Sequence, residues 1–354
     1  MVNNMKILLI MTGGTICSYR SGEGQLSPDA AAAAPLLVER LREEQKFARI
    51  RFDVRQVLNV LSENMTFSRL DRLLAFFRGL SDEELASADG IIIAHGTDTL
   101  AYTSSLLALA LAGLCKPVFL VSSNYTLSRP EANGHANFRA AAELIMSGFG
   151  PGVYVPYRNS DGVIYLHSGA KLRQCGNYSC DFFSEGMKPV GQAEPYKAAS
   201  EHPPVYALRR LEDCVMKIEP YVGIDYSAYR PGGQIRAILH GSYHSATACV
   251  ERAGRNEPFT RYSALWMLGY CRSHKIDFWL AGLSRPEGGL SDILDGAYST
   301  TADLIKSGAK PILSLTPETA YMKLTLAYSL GYEGEEIDAF MERELADERL
   351  GGAI

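Results

Sequence analysis

A chain of 354 residues, 47% hydrophobic and 21% charged, exceeds one ordinary core and predicts about two globular domains. Its net charge of -5, with no Lys/Arg block, excludes a general nucleic-acid or anionic-membrane surface. The seven cysteines (17, 115, 175, 180, 214, 249, 271) are scattered and form no C-x-x-C pair, which argues against a disulfide framework or a zinc site and for a reducing compartment.

In chain order, the apolar stretch at 6–11 is too short for a signal peptide or a membrane span, so the expected location is the cytoplasm. It reads as a buried strand, as do 91–94, 117–121 and 152–157. Helical periodicity falls between them at 30–44, 67–80, 100–114 and 136–146. Alternation of this kind predicts an α/β fold with a doubly wound, mostly parallel sheet in a larger N-terminal domain, residues 1–187. The segment "KPVGQAEPYKAASEHPP", with four prolines, reads as an interdomain linker within 188–212. A smaller α/β domain, 213–354, follows, with strands near 215–220, 235–240 and 278–281 and helices at 262–273, 300–307 and 317–330.

The first strand runs into "MTGGTI", Met11 to Ile16. In open α/β sheets ligands sit beyond the carboxyl ends of strands, and glycines let the backbone approach them closely. Thr15 stands at that edge as a helix cap, a phosphate contact or a nucleophile. A dinucleotide or P-loop site is excluded, since neither G-x-G-x-x-G nor a Walker A run is present. "IIIAHGTDTL", Ile91 to Leu100, repeats the strand-turn-helix plan with Thr97 and Asp98 at the turn, and Asp98 alone reads equally as an N-cap. Two such edges on one sheet would share a crevice.

The two turns together resemble the T-G-G-T-I and H-G-T-D-T signatures of the L-asparaginase family, with the type I branch the nearer match. The resemblance extends along nearly the whole chain through "NVLSENMT", "EANGHANF", "VMKIEPYVGID" and "LTPETAYMKL". It implies hydrolysis of the side-chain amide of L-asparagine to L-aspartate and ammonia, without metal or organic cofactor. Thr15 falls on the nucleophile that forms an acyl-enzyme, Thr97 on the second catalytic threonine, and Asp98 on the carboxylate facing the substrate ammonium. Ser62 falls on the residue holding the α-carboxylate, Glu63 follows it, and Gly14 and Gly96 complete the implied substrate-binding set. A small amino acid is the implied partner, with neither nucleic acid nor membrane, in a homodimer or homotetramer where Ser242 and Tyr243 would reach a neighbouring active site.

The chain also departs from the family pattern. Seven residues before Asp181, where the family has an activating lysine, stands Gln174, which cannot act as a base near neutral pH. Lys171 aligns with an arginine of the family's G-T-R turn. Gln25 occupies the position of the mobile-loop tyrosine, with Tyr19 the nearest stand-in, and "SSNYTLSRPEANG" lacks the M-R-P segment. Alternatives to asparagine hydrolysis are therefore a non-catalytic amino-acid binder and a glutaminase-like amidase. An amidotransferase component feeding ammonia to a tRNA-linked substrate would carry a further N-terminal domain, whereas here the first strand begins within about six residues of the start.

Of the histidines, none has metal-ligand spacing: His95 reads as a hydrogen-bonded structural residue and "HGSYH", 240–244, as a strand end. "YVGIDYSAYR" reads as packing, and Lys323 as a surface or interface residue of a helix.

Overall fold

In the computed structural model, which describes residues 5–20, 26–196, 202–254, 258–284, 294 and 298–351, the first apolar run becomes β1 (Lys6–Gly13). A short 3-10 turn and the ribbon β2 (Ser18–Arg20) and β3 (Leu26–Pro28) lead to α1 (Ala30–Arg42), whose N-terminus is capped by the Asp29 carboxylate accepting from Ala32 N at 3.0 Å. β4 (Arg51–Val60), α2 (Phe67–Arg78), α3 (Asp82–Ser87), β5 (Gly90–Ala94), α4 (Leu100–Ala110), β6 (Pro117–Val121), α5 (Gly134–Met146) and β7 (Gly152–Arg158) follow. The sheet closes with the antiparallel strands β8 (Ile164–Ser168) and β9 (Lys188–Pro189).

Strand order in this sheet is β4-β1-β5-β6-β7-β8-β9, parallel from β4 to β7. Every residue of β5 and β6 is buried, as expected of strands covered on both faces. On one face, Ile7, Leu9, Met11, Ile92 and Phe119 pack with Leu37 of α1 and Phe138 and Ile145 of α5. Register aligns Met11 with Ala94 and Gly13 with Val60, so the loops leaving β4, β1 and β5 start side by side at the carboxyl edge.

A second sheet, ordered β10-β11-β12-β13, is wholly parallel: β10 (Val215–Ile218), β11 (Ala237–His240), β12 (Asp277–Leu283) and β13 (Lys310–Leu313). Its helices are α6 (Ala264–Ser273), α7 (Ser299–Lys306), α8 (Pro317–Ser329) and α9 (Glu335–Glu342), and its core joins Ile238, Phe278 and Leu280 to Leu265, Leu268 and Leu304. The two-part α/β fold is thus the one the alternating pattern predicts. Among the described residues, one compact unit comprises 5–211 with Glu344–Glu348 and the other Glu212–Arg343 with 349 onward. The returning segment is built into the first unit: Leu345 and Ala346 are buried, Lys171 pairs with Asp347 at 3.1 Å, and the buried Glu348 carboxylate accepts from Leu345 N and Ala346 N.

Several elements are absent from the sequence-based assignment. β4 is an edge strand whose Arg51, Asp53 and Arg55 interrupt the apolar pattern, β13 is four residues containing a proline, and α9 begins with a run of acids. The reading of Lys323 as a surface residue is corrected. It is fully buried in α8, and its ammonium donates to the carbonyls of Met341 (3.2 Å) and Arg343 at the end of α9, groups that a helix leaves unpaired. Among the described residues no helix is long and apolar enough to cross a membrane.

Leu9, fully buried in β1, supports one stability prediction. Leu9→Ala should cost about 2–5 kcal/mol, whereas Val54→Ala, 44% exposed on β4, should stay within about 0.5 kcal/mol. Urea midpoints compare them, and equal shifts would contradict this account of the core.

Candidate functional site

At the end of β1 the chain turns through Gly14 with φ +80°, and a Cβ there would lie 2.3 Å from both Cα and N of Gly96. A Cβ on Gly96 would in turn stand 2.4 Å from Ser62 Oγ. The loops after β1 and β5 therefore meet backbone on backbone and the Ser62 side chain rests on Gly96, an approach that only glycine allows. Gly14 N donates to Val60 O at 2.8 Å, and Thr12 Oγ1 donates to Ala94 O at 2.7 Å, tying the first loop to both neighbours.

Thr15 and Thr97 each directly follow one of these contacting glycines, and both side chains are partly exposed. The capping readings are not realised. Thr15 opens a 3-10 turn with Gly14 at the N-cap position and no side-chain cap bond, while α4 has Thr99, not Asp98, at its N-cap. Asp98 instead pairs with Ser62: its N–H donates to Ser62 Oγ at 3.1 Å, and that hydroxyl donates to Asp98 Oδ2, also at 3.1 Å. Thr99 Oγ1 donates to Ser62 O at 3.0 Å, locking the 62 and 98 turns together. Glu63 is exposed in the 3-10 turn Ser62–Asn64.

His95 is fully buried behind the second turn. Its Nδ1 lies 2.7 Å from Gly96 O and must carry the proton, since a carbonyl can only accept. Burial pulls its pKa down to about 4 although that bond and the Asp98 charge favour the cation, so the ring is neutral near pH 7. His240, last residue of β11, is kept neutral in the same way and shares a 2.7 Å hydrogen bond between Nε2 and the Tyr226 hydroxyl. Among the described residues no group of three or more His, Cys, Asp or Glu could hold a metal.

Thr97 and Asp98 line a cavity of about 280 Å³ whose other walls include Asn124, Tyr157, Gln174 and Phe182. Gln174 donates its amide N–H to the carbonyl oxygen of Asp98. Thr15, Ser62 and Glu63 lie outside this lining, joined to it through the glycine contact and the Ser62–Asp98 pair. Asn124 and Tyr157 are absent from the sequence-derived set. Asn124 was findable, because it follows β6 at the same carboxyl edge, and it exchanges backbone-to-amide bonds of 2.9 and 3.0 Å with Asn133 at the start of α5. Lys171 is engaged with Asp347, Tyr19 is exposed on β2, and Gln25 lies outside the described residues. Ser242 and Tyr243 belong to the second unit, where Ser242 Oγ sits 2.4 Å from the place of a Cβ on Gly282.

The parallel sheet with glycine and hydroxyl turns at its carboxyl edge defines a ligand-binding α/β class, and sequence comparison narrows it. The profile described as "Asparaginase, N-terminal" matches residues 6–205, and the chain belongs to this family. A glutamyl-tRNA(Gln) amidotransferase component from Methanococcus maripaludis (strain C6) is 28% identical over 97% of this chain and 80% of that protein. Among solved structures, the thermostable L-asparaginase from Thermococcus kodakarensis superposes with a TM-score of 0.73 over 98% of this chain and all of that one, at 24% identity. L-asparaginase I from Vibrio cholerae gives 0.69 over 98% and 99% at 20% identity. At these identities the structures attest the fold.

The glycine junction and the buried imidazole can each be tested through stability. Gly14→Ala should destabilise by clearly more than Gly148→Ala, which shares a positive φ of 72° but meets nothing within 4 Å, where strain alone costs about 1–2 kcal/mol. Equal losses by urea unfolding would mean that the Gly96 contact is loose. His95 binds a proton less readily folded than unfolded, so its contribution is complete above about pH 6.5 and is lost as pH falls toward about 4, up to about 3 kcal/mol. The slope of stability against pH in that window should be shallower in His95→Gln; identical slopes would refute the assignment.

Proposed function

We propose that the protein is an amidohydrolase that cleaves the side-chain amide of a small amino acid, L-asparagine foremost, to the acid and ammonia. The observation carrying this reading is the Gly14–Gly96 contact, which makes neighbours of the two turns bearing Thr15 and Thr97 beside the Ser62–Asp98 pair. On this reading the Thr15 hydroxyl oxygen attacks the amide carbon, ammonia leaves, and water hydrolyses the resulting ester. Backbone N–H groups of the turns face the oxyanion. Asp98 provides the counter-charge for the substrate ammonium, held in orientation by Ser62, and Thr97 is the second hydroxyl at the reacting group. Gln174 fixes the Asp98 turn through its carbonyl and, being neutral, takes no proton.

The relatives named as components of glutamyl-tRNA(Gln) amidotransferase favour a second reading, in which the ammonia serves a coupled amidation. One methylene separates asparagine from glutamine, a difference of about 1–3 kcal/mol in an apolar pocket, so both are assayed.

With purified protein, ammonia should be released from L-asparagine or L-glutamine. Thr15→Ala should reduce release by about a thousandfold or more while retaining a thermal shift with L-aspartate. Undiminished release would sink the nucleophile assignment. Asp98→Ala should raise KM by at least about tenfold, the cost of an unpaired ammonium; an unchanged KM would count against the pocket. No release from either amide, with the aspartate shift intact, would favour the coupled reading or a binder.

A further inference from the structure

One wall of the 280 Å³ cavity lined by Thr97 and Asp98 is a hairpin holding two of the cysteines. Leu172 bridges Ser184 in antiparallel fashion, and Arg173 N donates to Phe183 O at 2.9 Å, so the arms run side by side. At the tip Ser179 N donates to Gly176 O at 3.1 Å, closing a β-turn over Asn177 and Tyr178, the latter at φ +64° and exposed. Cys175 and Cys180 immediately flank that turn, one on each arm. The register set by the Leu172–Ser184 bridge brings Cys175 level with Asp181, next to Cys180, so the Cys175 side chain meets the stretch of the other arm that holds Cys180.

The side-chain contacts agree with that placement. Cys175 Sγ lies 3.1 Å from Ser179 O and 3.3 Å from Asp181 O, the carbonyls on either side of Cys180 in the chain. Both thiols are free and both line the cavity, Cys180 exposed and Cys175 partly buried. Burial raises the Cys175 pKa above the ordinary thiol range, and the nearby Cys180 charge adds to it. Cys180 is therefore the thiol that meets an oxidant first.

We propose that Cys175 and Cys180 form a reversible disulfide that makes the wall of the Thr97–Asp98 cavity redox-sensitive. With hydrogen peroxide as the two-electron oxidant, the Cys180 sulfur breaks the O–O bond and becomes a sulfenic acid, releasing one water. The Cys175 sulfur then attacks it, the S–O bond breaks, its thiol proton leaves with the hydroxyl as a second water, and the S–S bond forms. The cross-link draws Cys175 Sγ off the Ser179 and Asp181 carbonyls. Gln174, next in the chain, carries the change to the Asp98 carbonyl it donates to.

The test needs no enzymatic activity, so it stands apart from the hydrolysis reading. Full-length reduced protein is treated with hydrogen peroxide, alkylated with iodoacetamide, digested and mapped by mass spectrometry, and both states are compared by hydrogen exchange at residues 96–100. A Cys175–Cys180 cross-link is expected, reversed by dithiothreitol and accompanied by a several-fold change in exchange at the 96–100 amides. In Cys180→Ser, Cys175 should remain open to alkylation after the same treatment. Alkylation of both cysteines in oxidised wild type, cross-links to other cysteines, or identical exchange in the two states would overturn the proposal.

Discussion

Where β1 and β5 leave the sheet, the backbone of Gly14 rests against that of Gly96 at a distance that excludes any side chain. The contact follows from strand order: β1 sits between β4 and β5, so the three outgoing loops compete for one small space above the carboxyl edge. Hydrogen bonds from Gly14 to Val60, Thr12 to Ala94 and Thr99 to Ser62 hold them there. Thr15, Thr97, Asp98 and Ser62 take their positions from this junction, not from local capping, and Asn124 with its partner Asn133 extends the same edge one strand further.

The electrostatics of the junction are sparse. His95 sits directly behind Gly96 yet is held neutral by burial, and its Nδ1 proton is committed to the Gly96 carbonyl. Gln174 contributes an amide in place of a cation, and its N–H is spent on the Asp98 backbone. On the proposed chemistry, Gln174 is not the group that takes the proton leaving the Thr15 hydroxyl. The carboxylate of Asp98, tethered by Ser62, is the negative group in the cavity lining.

How much of this was readable beforehand depended on how strongly each residue's surroundings act on it alone. Buried parallel strands announce themselves as unbroken apolar runs, so β1, β5, β6 and β7 were legible almost to the residue. The edge strand β4 was not, because half its side chains meet water and its charges mimic a loop. Glycine-flanked hydroxyls at strand ends marked two of the three turns, but whether Asp98 capped a helix or faced Ser62 was decided by a residue 36 positions away. Lys323 was misread for a similar reason: a lysine on a helix looks solvated until another helix terminus supplies carbonyls for its ammonium. The hairpin carrying Cys175 and Cys180 has neither apolar periodicity nor a familiar spacing, and its placement beside the Thr97 turn is a purely tertiary fact.

The short segment Glu344–Glu348 belongs with residues that precede it by well over a hundred positions. During synthesis, the first unit can assemble its sheet long before that segment emerges, but the burial of Leu345 and Ala346 and the Lys171–Asp347 pair must wait until the chain up to residue 343 has been made. A ribosome paused within the second unit would thus hold a first unit with its sheet formed and that seam still open, exposed to chaperones and proteases until residues 344–348 emerge.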